Sequence, residues 1–199
     1  MELEFRENRI VFEKAFSNLD KLVVKFTKIL DKEKIEYVIV SGYIAILFGR
    51  SRNTEDVDLF IEEMPLEKFK EFWGKLGKEG FECLNTSSAE DAYVGYLKEK
   101  LAIRFAEKGM VQPNFELKFP KTDLNWYSLK NKVVVEINRE MLNTSKMELQ
   151  IAFKLYLGSD KDIEDAIHLW EMFKGRLNME LFNGFAKRLK VEGKVKLLE

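Results

Sequence analysis

The first third of the chain changes from helical to strand-like spacing of its apolar residues. Between residues 10 and 31, apolar side chains recur every three or four positions with charges between them, which predicts a long amphipathic helix. The unbroken apolar run 37–40 predicts a strand that is buried on both faces. A short helix over 44–48 and a second strand over 57–61 follow it.

The rest of the chain predicts short strands and then helices. Pro65 suits the first turn of a helix over 65–77, and strands are predicted over 81–84, 101–105, 114–119 and 132–137. From residue 145 the spacing is helical, with Ser145 and Glu148 as a capping box and Gly158 as a helix end. Further helices are predicted from Ser159 and from Asn178.

These elements predict an α/β (α+β) fold in two parts. A mixed β-sheet core flanked by helices, including the N-terminal helix, is expected over residues 1–140. A C-terminal helical lobe is expected over residues 141–199.

Composition narrows the classes of function. The 199 residues are 46% hydrophobic and carry a net charge of −1, so global charge gives no reason to expect a nucleic-acid or membrane partner. A single cysteine and a single histidine argue against a disulfide framework and against a classical zinc site. No apolar run approaches the roughly 18 residues of a membrane span, and no secretory segment is evident, so we expect a cytoplasmic protein.

Candidate chemistry is concentrated between residues 41 and 58. The first strand breaks at Ser41-Gly42, two arginines follow, and the second strand carries Asp56 and Asp58. Alternate residues of a strand share a face, so the two carboxylates point the same way, roughly 7 Å apart at the backbone. This arrangement suits a hard divalent cation shared with substrate phosphates. The alternative is a solvent-facing strand, where alternating charge is ordinary.

The order of these residues resembles a known superfamily. A hydrophobic strand, Ser-Gly, and then G-x-x-R-x-T-x-D-x-D before a hydrophobic run resembles the nucleotidyltransferase superfamily with the DNA polymerase beta type of fold. The chain is more closely similar to the nucleotidyltransferase-like proteins grouped with abortive-infection toxins. Their C-terminal signature is matched by Lys154 on one helix and by Lys161, Asp162 and Asp165 on the next. The two signatures span residues 37–173.

The resemblance implies roles for individual residues. Ser41 and Gly42 would hold the nucleoside triphosphate, and Asp56 and Asp58 would ligate one or two Mg²⁺ ions. The family's third carboxylate, on a neighbouring strand, would complete the metal site and help deprotonate the acceptor. Glu116 is our choice for it, because Phe115, Leu117 and Phe119 face the other way. The alternatives are Glu136 and a site without a third ligand.

Four further residues are candidates for binding the nucleotide. Arg50, Arg52 and Thr54 would contact the triphosphate, since guanidinium groups match phosphate oxygens. A solvated loop is the alternative for them. Lys154 would reach a phosphate from the helical lobe, although surface ion pairs explain it as well.

The resulting functional prediction is a Mg²⁺-dependent nucleotidyltransferase. It would move a nucleoside monophosphate from ATP or another triphosphate to a hydroxyl of RNA, protein or a small molecule, in a toxin–antitoxin or defence system. A protein partner or a homodimer is compatible with this setting. The chain departs from the family pattern with Ser before Gly in the turn and with Glu as third acid. The alternative is therefore a catalytically inactive nucleotide-binding or regulatory antitoxin protein that acts through protein contacts.

Overall fold

Nine strands form one mixed sheet in the computed structural model, which describes residues 2–198. They are β1 (Glu4–Arg6), β2 (Arg9–Phe12), β3 (Tyr37–Val40), β4 (Asp56–Ile61), β5 (Phe81–Cys83), β6 (Ile103–Glu107), β7 (Asn114–Lys118), β8 (Val133–Ile137) and β9 (Glu140–Thr144). Their order across the sheet is β1-β2-β8-β9-β3-β4-β7-β6-β5. The pairs β2/β8, β3/β9 and β4/β7 are parallel, and the other neighbours are antiparallel.

Eight α-helices surround this sheet within the described residues. They are α1 (Asn18–Lys32), α2 (Gly42–Leu47), α3 (Leu66–Lys78), α4 (Ala89–Ala92), α5 (Asp123–Lys130), α6 (Met147–Leu157), α7 (Asp160–Phe173) and α8 (Met179–Arg188). A π-helical turn, Tyr93–Leu97, continues α4, and a 3₁₀ segment, Glu192–Leu198, follows α8.

Helices α1 and α3 cover the apolar face of strands β4 to β7. Phe26 of α1 stacks on Phe115 of β7 with 3.9 Å between the ring centroids, and Phe72 of α3 meets Phe105 of β6 edge to face. All four rings are at most 1% exposed. This face is hydrophobic because every second residue of each strand points to it. The polar residues between them are therefore directed to the opposite face.

Helices α5 and α6 lie over that opposite face. Helix α5 contacts β3 and β4, and α6 packs on both α7 and α8. Helix α7 in turn contacts α2, which directly follows β3. The helical lobe α6–α8 is thereby placed beside the end of β3.

The structure corrects the prediction of one continuous helix over residues 10–31. Residues 9–12 form β2, with Ile10 and Phe12 buried and Val11 partly exposed, and α1 begins only after its N-cap Ser17. Strand β2 pairs in parallel with β8. Tertiary pairing therefore decides the conformation of a short apolar segment whose spacing fits either element.

The predicted capping box at Ser145 and Glu148 is also wrong. Helix α6 begins after Lys146 with no side-chain cap, because Ser145 donates its hydroxyl to Gln150 and Glu148 accepts from the backbone of Asn178. The predicted end of α6 at Gly158 and the predicted start of α7 at Ser159 are confirmed. Elements β1, β9, α4 and α5 were not predicted from the sequence.

Candidate active site

Three carboxylates lie on one face of two neighbouring parallel strands. On β4, Asp56 and Asp58 alternate with the buried residues Val57 and Leu59, so both carboxylates share the face opposite the core. Strand β7 places Glu116 in register with Asp58. Because neighbouring strands are about 4.8 Å apart, Asp58 and Glu116 lie side by side despite their distance in the sequence.

Two cations partly neutralise these carboxylates. The Lys118 Nζ lies 2.5 Å from Glu116 Oε1 and 3.3 Å from Asp58 Oδ1. Arg104 on β6 donates to Glu116 Oε2 from Nη2 at 2.9 Å and from Nε at 3.1 Å. Both oxygens of Glu116 thus have a partner. We call this group the strand cluster, with the members Asp56, Asp58, Arg104, Glu116 and Lys118.

The two central carboxyls of the strand cluster have pKa values shifted in opposite directions. Burial raises the pKa of Asp58, and the charges of Asp56 and Glu116 raise it further, although Lys118 opposes them. Burial also disfavours the charged form of Glu116. Its hydrogen bonds and ion pairs with Lys118 and Arg104 outweigh that effect and hold its pKa below the ordinary value. The charge of Lys118 therefore does not fully offset the burial of Asp58 and the two neighbouring carboxylates, and a further cation would favour its ionised form.

The chemistry of the strand cluster fits a divalent cation. Its donors are carboxylate oxygens, the ligands that Mg²⁺ prefers, and a neutral oxygen lies nearby. Asn114, in register with Asp56, is buried, and its Oδ1 has no hydrogen-bond partner within residues 2–198. In the same residues no three Asp, Glu, His or Cys side chains are arranged so that they could hold a metal ion. Lys118 is placed as a stand-in cation between two of the carboxylates.

The contacts of Thr54 and Glu136 bear on the roles that were predicted for them. Thr54 donates its hydroxyl to the backbone carbonyl of Asp56 at 3.0 Å, with the carboxylate Oδ1 at 3.4 Å. Glu136 lies on β8, three strands away from β4, and pairs with Arg9 at 2.8 Å. The structure therefore brings Glu116, and not Glu136, next to Asp58.

The turn after β3 has a backbone conformation that is rare for a side-chain-bearing residue. Ser41 has φ 64° and ψ −138°, a region that favours glycine. The Gln150 amide of α6 holds it: Nε2 donates to Ser41 O at 2.8 Å, and Oε1 accepts from Ser41 N at 3.2 Å. Sequence analysis did not identify Gln150. The sequence feature that could have identified it is a single amide side chain among the mostly apolar residues of α6.

Gly42 is required by the close approach of an arginine. A Cβ at this position would lie 2.3 Å from Arg52 Nη2 and 3.3 Å from Arg52 Cζ. The arginine has little freedom to move, since its side chain is 9% exposed and forms two hydrogen bonds with Asp165. The turn and the arginine are therefore packed as one unit.

The predicted phosphate-binding cations meet at a buried aspartate. Asp165 is fully buried; it accepts from Arg52 at 2.9 and 3.0 Å and from Lys154 at 2.9 Å, and it also pairs with Arg50. Lys154 lies 2.7 Å from Asp162 as well, and Arg50 pairs with Glu164. We call this group the lobe cluster, with the members Arg50, Arg52, Lys154, Asp162, Glu164 and Asp165.

The lobe cluster stabilises the charged form of its central carboxylate. Burial alone would raise the pKa of Asp165, but hydrogen bonds and charges from Lys154, Arg52 and Arg50 hold it below the ordinary value. These contacts connect α7 and α6 to the segment that follows the Ser41-Gly42 turn. The charged partners of the three cations are thus carboxylates of the lobe.

A cavity of about 260 Å³ lies between the strand cluster, α5 and α6. Ser41, Asp58 and Lys118 line its polar side, and apolar side chains, including Phe60 and Phe153, line the remainder. It opens beside the strained turn. One carboxylate of the strand cluster, Asp58, therefore meets the turn at this cavity.

None of the helices formed by residues 2–198 has both the length and the apolar character needed to cross a membrane.

No protein-family model matches the sequence, and no curated protein matches it either.

Three solved structures share the fold over most of the chain. An antigenic nucleotidyltransferase-like protein from Paracoccidioides brasiliensis is 20% identical, with a TM-score of 0.51 over 89% of this chain and 91% of its own. ANT(2'')-Ia in complex with adenylyl-2''-tobramycin is 15% identical, with a TM-score of 0.54 over 86% and 99%. A solution structure of the antibiotic-resistance factor ANT(2'')-Ia is 12% identical, with a TM-score of 0.55 over 88% and 93%. The mixed α/β fold is consistent with a nucleotidyltransferase fold.

Proposed function

We propose that this chain is a Mg²⁺-dependent nucleotidyltransferase that moves a nucleoside monophosphate from a triphosphate to an acceptor hydroxyl. The observation that carries the proposal is the placement of Asp58 beside Glu116 at a cavity that reaches Ser41. The structural neighbours support it, since one is named nucleotidyltransferase-like and another was solved with an adenylylated antibiotic.

The strand cluster would bind the cation. Asp56, Asp58 and Glu116 would supply its ligands once their side chains rearrange, and bound Mg²⁺ would neutralise phosphate charge and lower the pKa of the acceptor hydroxyl. Glu116 would also accept the hydroxyl proton, which requires one of its oxygens to leave Lys118 or Arg104. Thr54 orients Asp56 through its backbone carbonyl and carboxylate.

The turn would receive the polyphosphate. Its backbone is held in place by Gln150, and the Arg52 guanidinium fills the space that a side chain at Gly42 would take. Arg52 would be the first of the phosphate contacts, since it lies against this turn, and it would have to share Asp165 with the substrate. Contacts from Arg50 and Lys154 belong to the same proposal and would require these cations to share Asp165 with the substrate.

The cavity would take one part of the substrate. Its volume of about 260 Å³ is below the roughly 300–1,000 Å³ of pockets that enclose a drug-sized ligand. Phe60 and Phe153 give it an apolar lining suited to a nucleobase. ATP is the first triphosphate to test.

The acceptor is open among three classes: RNA, a protein side chain and a small molecule. The adenylylated antibiotic bound to ANT(2'')-Ia makes a small-molecule hydroxyl worth including. A toxin–antitoxin or defence setting, a cytoplasmic location and a protein partner or homodimer belong to the same proposal. They follow from the sequence resemblance.

The test is release of pyrophosphate together with transfer of label from α-³²P triphosphates, screened against the three classes of acceptor with Mg²⁺ present. We expect transfer by the wild type, a loss of about 10³-fold or more in Glu116→Gln, and near-wild-type rates in Glu136→Gln. Glu136→Gln is the matched control because it changes the same chemical group elsewhere on the sheet. Equal rates in the two variants would contradict the assignment of Glu116.

A second candidate is a catalytically inactive nucleotide-binding or regulatory protein. It is favoured by the engagement of both Glu116 oxygens with Arg104 and Lys118. Such a protein would bind a triphosphate to saturation without releasing pyrophosphate in any acceptor screen. Equilibrium binding of labelled ATP, measured beside the transfer assay, separates the two functions.

A further inference from the structure

Lys118 occupies the space between two carboxylates of the strand cluster. Its ammonium lies 2.5 Å from Glu116 and 3.3 Å from Asp58, while these two residues are side by side in the sheet. Each carboxylate thereby commits one oxygen to the same positive charge. A cation bound between the two carboxylates would compete with this ammonium for the space between them.

The surroundings keep this ammonium charged. Burial alone would lower the pKa of Lys118, but the charges and hydrogen bonds of Asp58 and Glu116 raise it above the ordinary value. Asp56 adds a third carboxylate on the same face. Arg104 supplies the second positive charge of the strand cluster, beside that of Lys118. The negative charge of the cluster thus exceeds the positive charge even with Lys118 in place.

The Lys118 side chain also has free space into which it can move. Its side chain is one third exposed and lines the cavity together with Asp58 and Ser41. A lysine stem has four flexible carbons and a compact charge at its end. Rotation of this stem would move the ammonium from the carboxylates into the space that the polyphosphate would enter.

We infer that Lys118 is a resident counter-ion that competes with the divalent cation for Asp58 and Glu116 and gives way when a nucleotide offers its phosphates instead. This inference rests on the proposed function and adds regulation of the same site. Metal binding is weak without nucleotide and becomes strong with it. Binding of the cation and binding of the nucleotide are thereby coupled, because each favours the position of the Lys118 ammonium that the other requires.

Arg104 provides the contrast that makes the inference specific. It binds Glu116 through Oε2, has a side chain that is 47% exposed, and has no ion pair with Asp58. Removing Arg104 takes away one positive charge without clearing the space between the two carboxylates. Arg104→Met is therefore the matched control for Lys118→Met.

The experiment measures binding of Mn²⁺ by electron paramagnetic resonance, with and without a non-hydrolysable ATP analogue. In Lys118→Met we expect Mn²⁺ alone to bind about tenfold or more tightly than in the wild type, the scale of losing two modest charged contacts. We also expect the analogue to strengthen Mn²⁺ binding less than it does in the wild type. In Arg104→Met the gain without nucleotide should be clearly smaller.

Lys118→Gln, with a thermal unfolding curve for each variant, guards against misfolding of the methionine variant. Unchanged Mn²⁺ affinity in folded Lys118→Met and Lys118→Gln overturns the inference, and so does an equal gain in Arg104→Met. Nucleotidyl transfer by the wild type with unchanged metal affinity in the variants leaves the proposed function standing alone. Tighter Mn²⁺ binding in the variants without any transfer supports the inference and counts against catalysis. If Mn²⁺ does not bind at Asp58 in the wild type or in any variant, both the inference and the proposed function are overturned.

Discussion

The strand cluster and the lobe cluster both combine carboxylates with cations, yet they differ in charge balance and in burial. In the lobe cluster three cations meet three carboxylates around the fully buried Asp165, whose pKa is lowered. In the strand cluster three carboxylates meet two cations beside a cavity, and the pKa of Asp58 is raised. A balanced buried group connects parts of the structure, whereas a surplus of one sign at a cavity is characteristic of a ligand site.

The strongest test of this contrast changes the aspartates of the strand cluster. Asp56→Asn and Asp58→Asn keep the side-chain volume but remove the charge that would bind the cation. We expect each to lower nucleotidyl transfer by about 10³-fold or more, while the free energy of unfolding is not reduced. Transfer assays and urea denaturation of the same preparations check both parts. Retained transfer in both variants would refute the metal site.

The opposite result is expected in the lobe cluster. Asp165→Asn leaves Arg50, Arg52 and Lys154 without their shared counter-charge, and breaking a buried ion pair costs about 3–5 kcal/mol. We expect a loss of that size in the free energy of unfolding, measured by urea denaturation. Glu164→Gln is the control, since Glu164 is 66% exposed and should cost under about 1 kcal/mol. Equal costs would show that Asp165 is not central.

A smaller effect should follow from displacing one arginine. Gly42→Ala places a methyl group 2.3 Å from Arg52 Nη2, so the guanidinium must shift away from Asp165. Overpacking of this kind costs about 1–3 kcal/mol. Gly74→Ala is the control, because nothing lies within 4 Å of its Cβ position. Thermal and urea unfolding of the two alanine variants give the comparison, and an equal cost at both sites would argue against the packing of Arg52 on the turn.

The smallest expected effect is in the pH dependence of stability. Because the pKa of Asp58 is raised in the folded state, ionised Asp58 reduces the free energy of unfolding above that pKa, and this penalty disappears as pH falls. Asp58→Asn should therefore be slightly more stable than the wild type at neutral pH and lose this advantage in acid.

Asp165 should show the reverse pH dependence. Its lowered pKa contributes stability that is complete above the unfolded-state pKa and is lost as pH falls through the folded-state pKa. The cost of Asp165→Asn should therefore be largest at neutral pH and shrink in acid. Urea denaturation at a series of pH values measures both differences. The same sign for Asp58 and Asp165 would contradict the contrast between the clusters.

Local pattern was sufficient for the elements that carry the carboxylates. The alternation of Asp56 and Asp58 with apolar residues predicted β4 and its polar face, and the same argument placed Glu116 opposite Phe115. Local pattern failed at residues 9–12, where a short apolar segment pairs with β8 instead of extending α1. A few residues of alternating burial fit either element until their partner is known.

The sequence by itself determined which residues have a polar face and where the turn after β3 lies, because side-chain alternation and glycine preference are local properties. Only the tertiary structure decided which carboxylates meet. The parallel pairing of β4 with β7 selects Glu116 over Glu136, and the packing of α6 and α7 brings Gln150 to Ser41 and Asp165 to the arginines. These contacts join residues far apart in the chain, and the strand order and helix packing that create them follow from burial of the whole core.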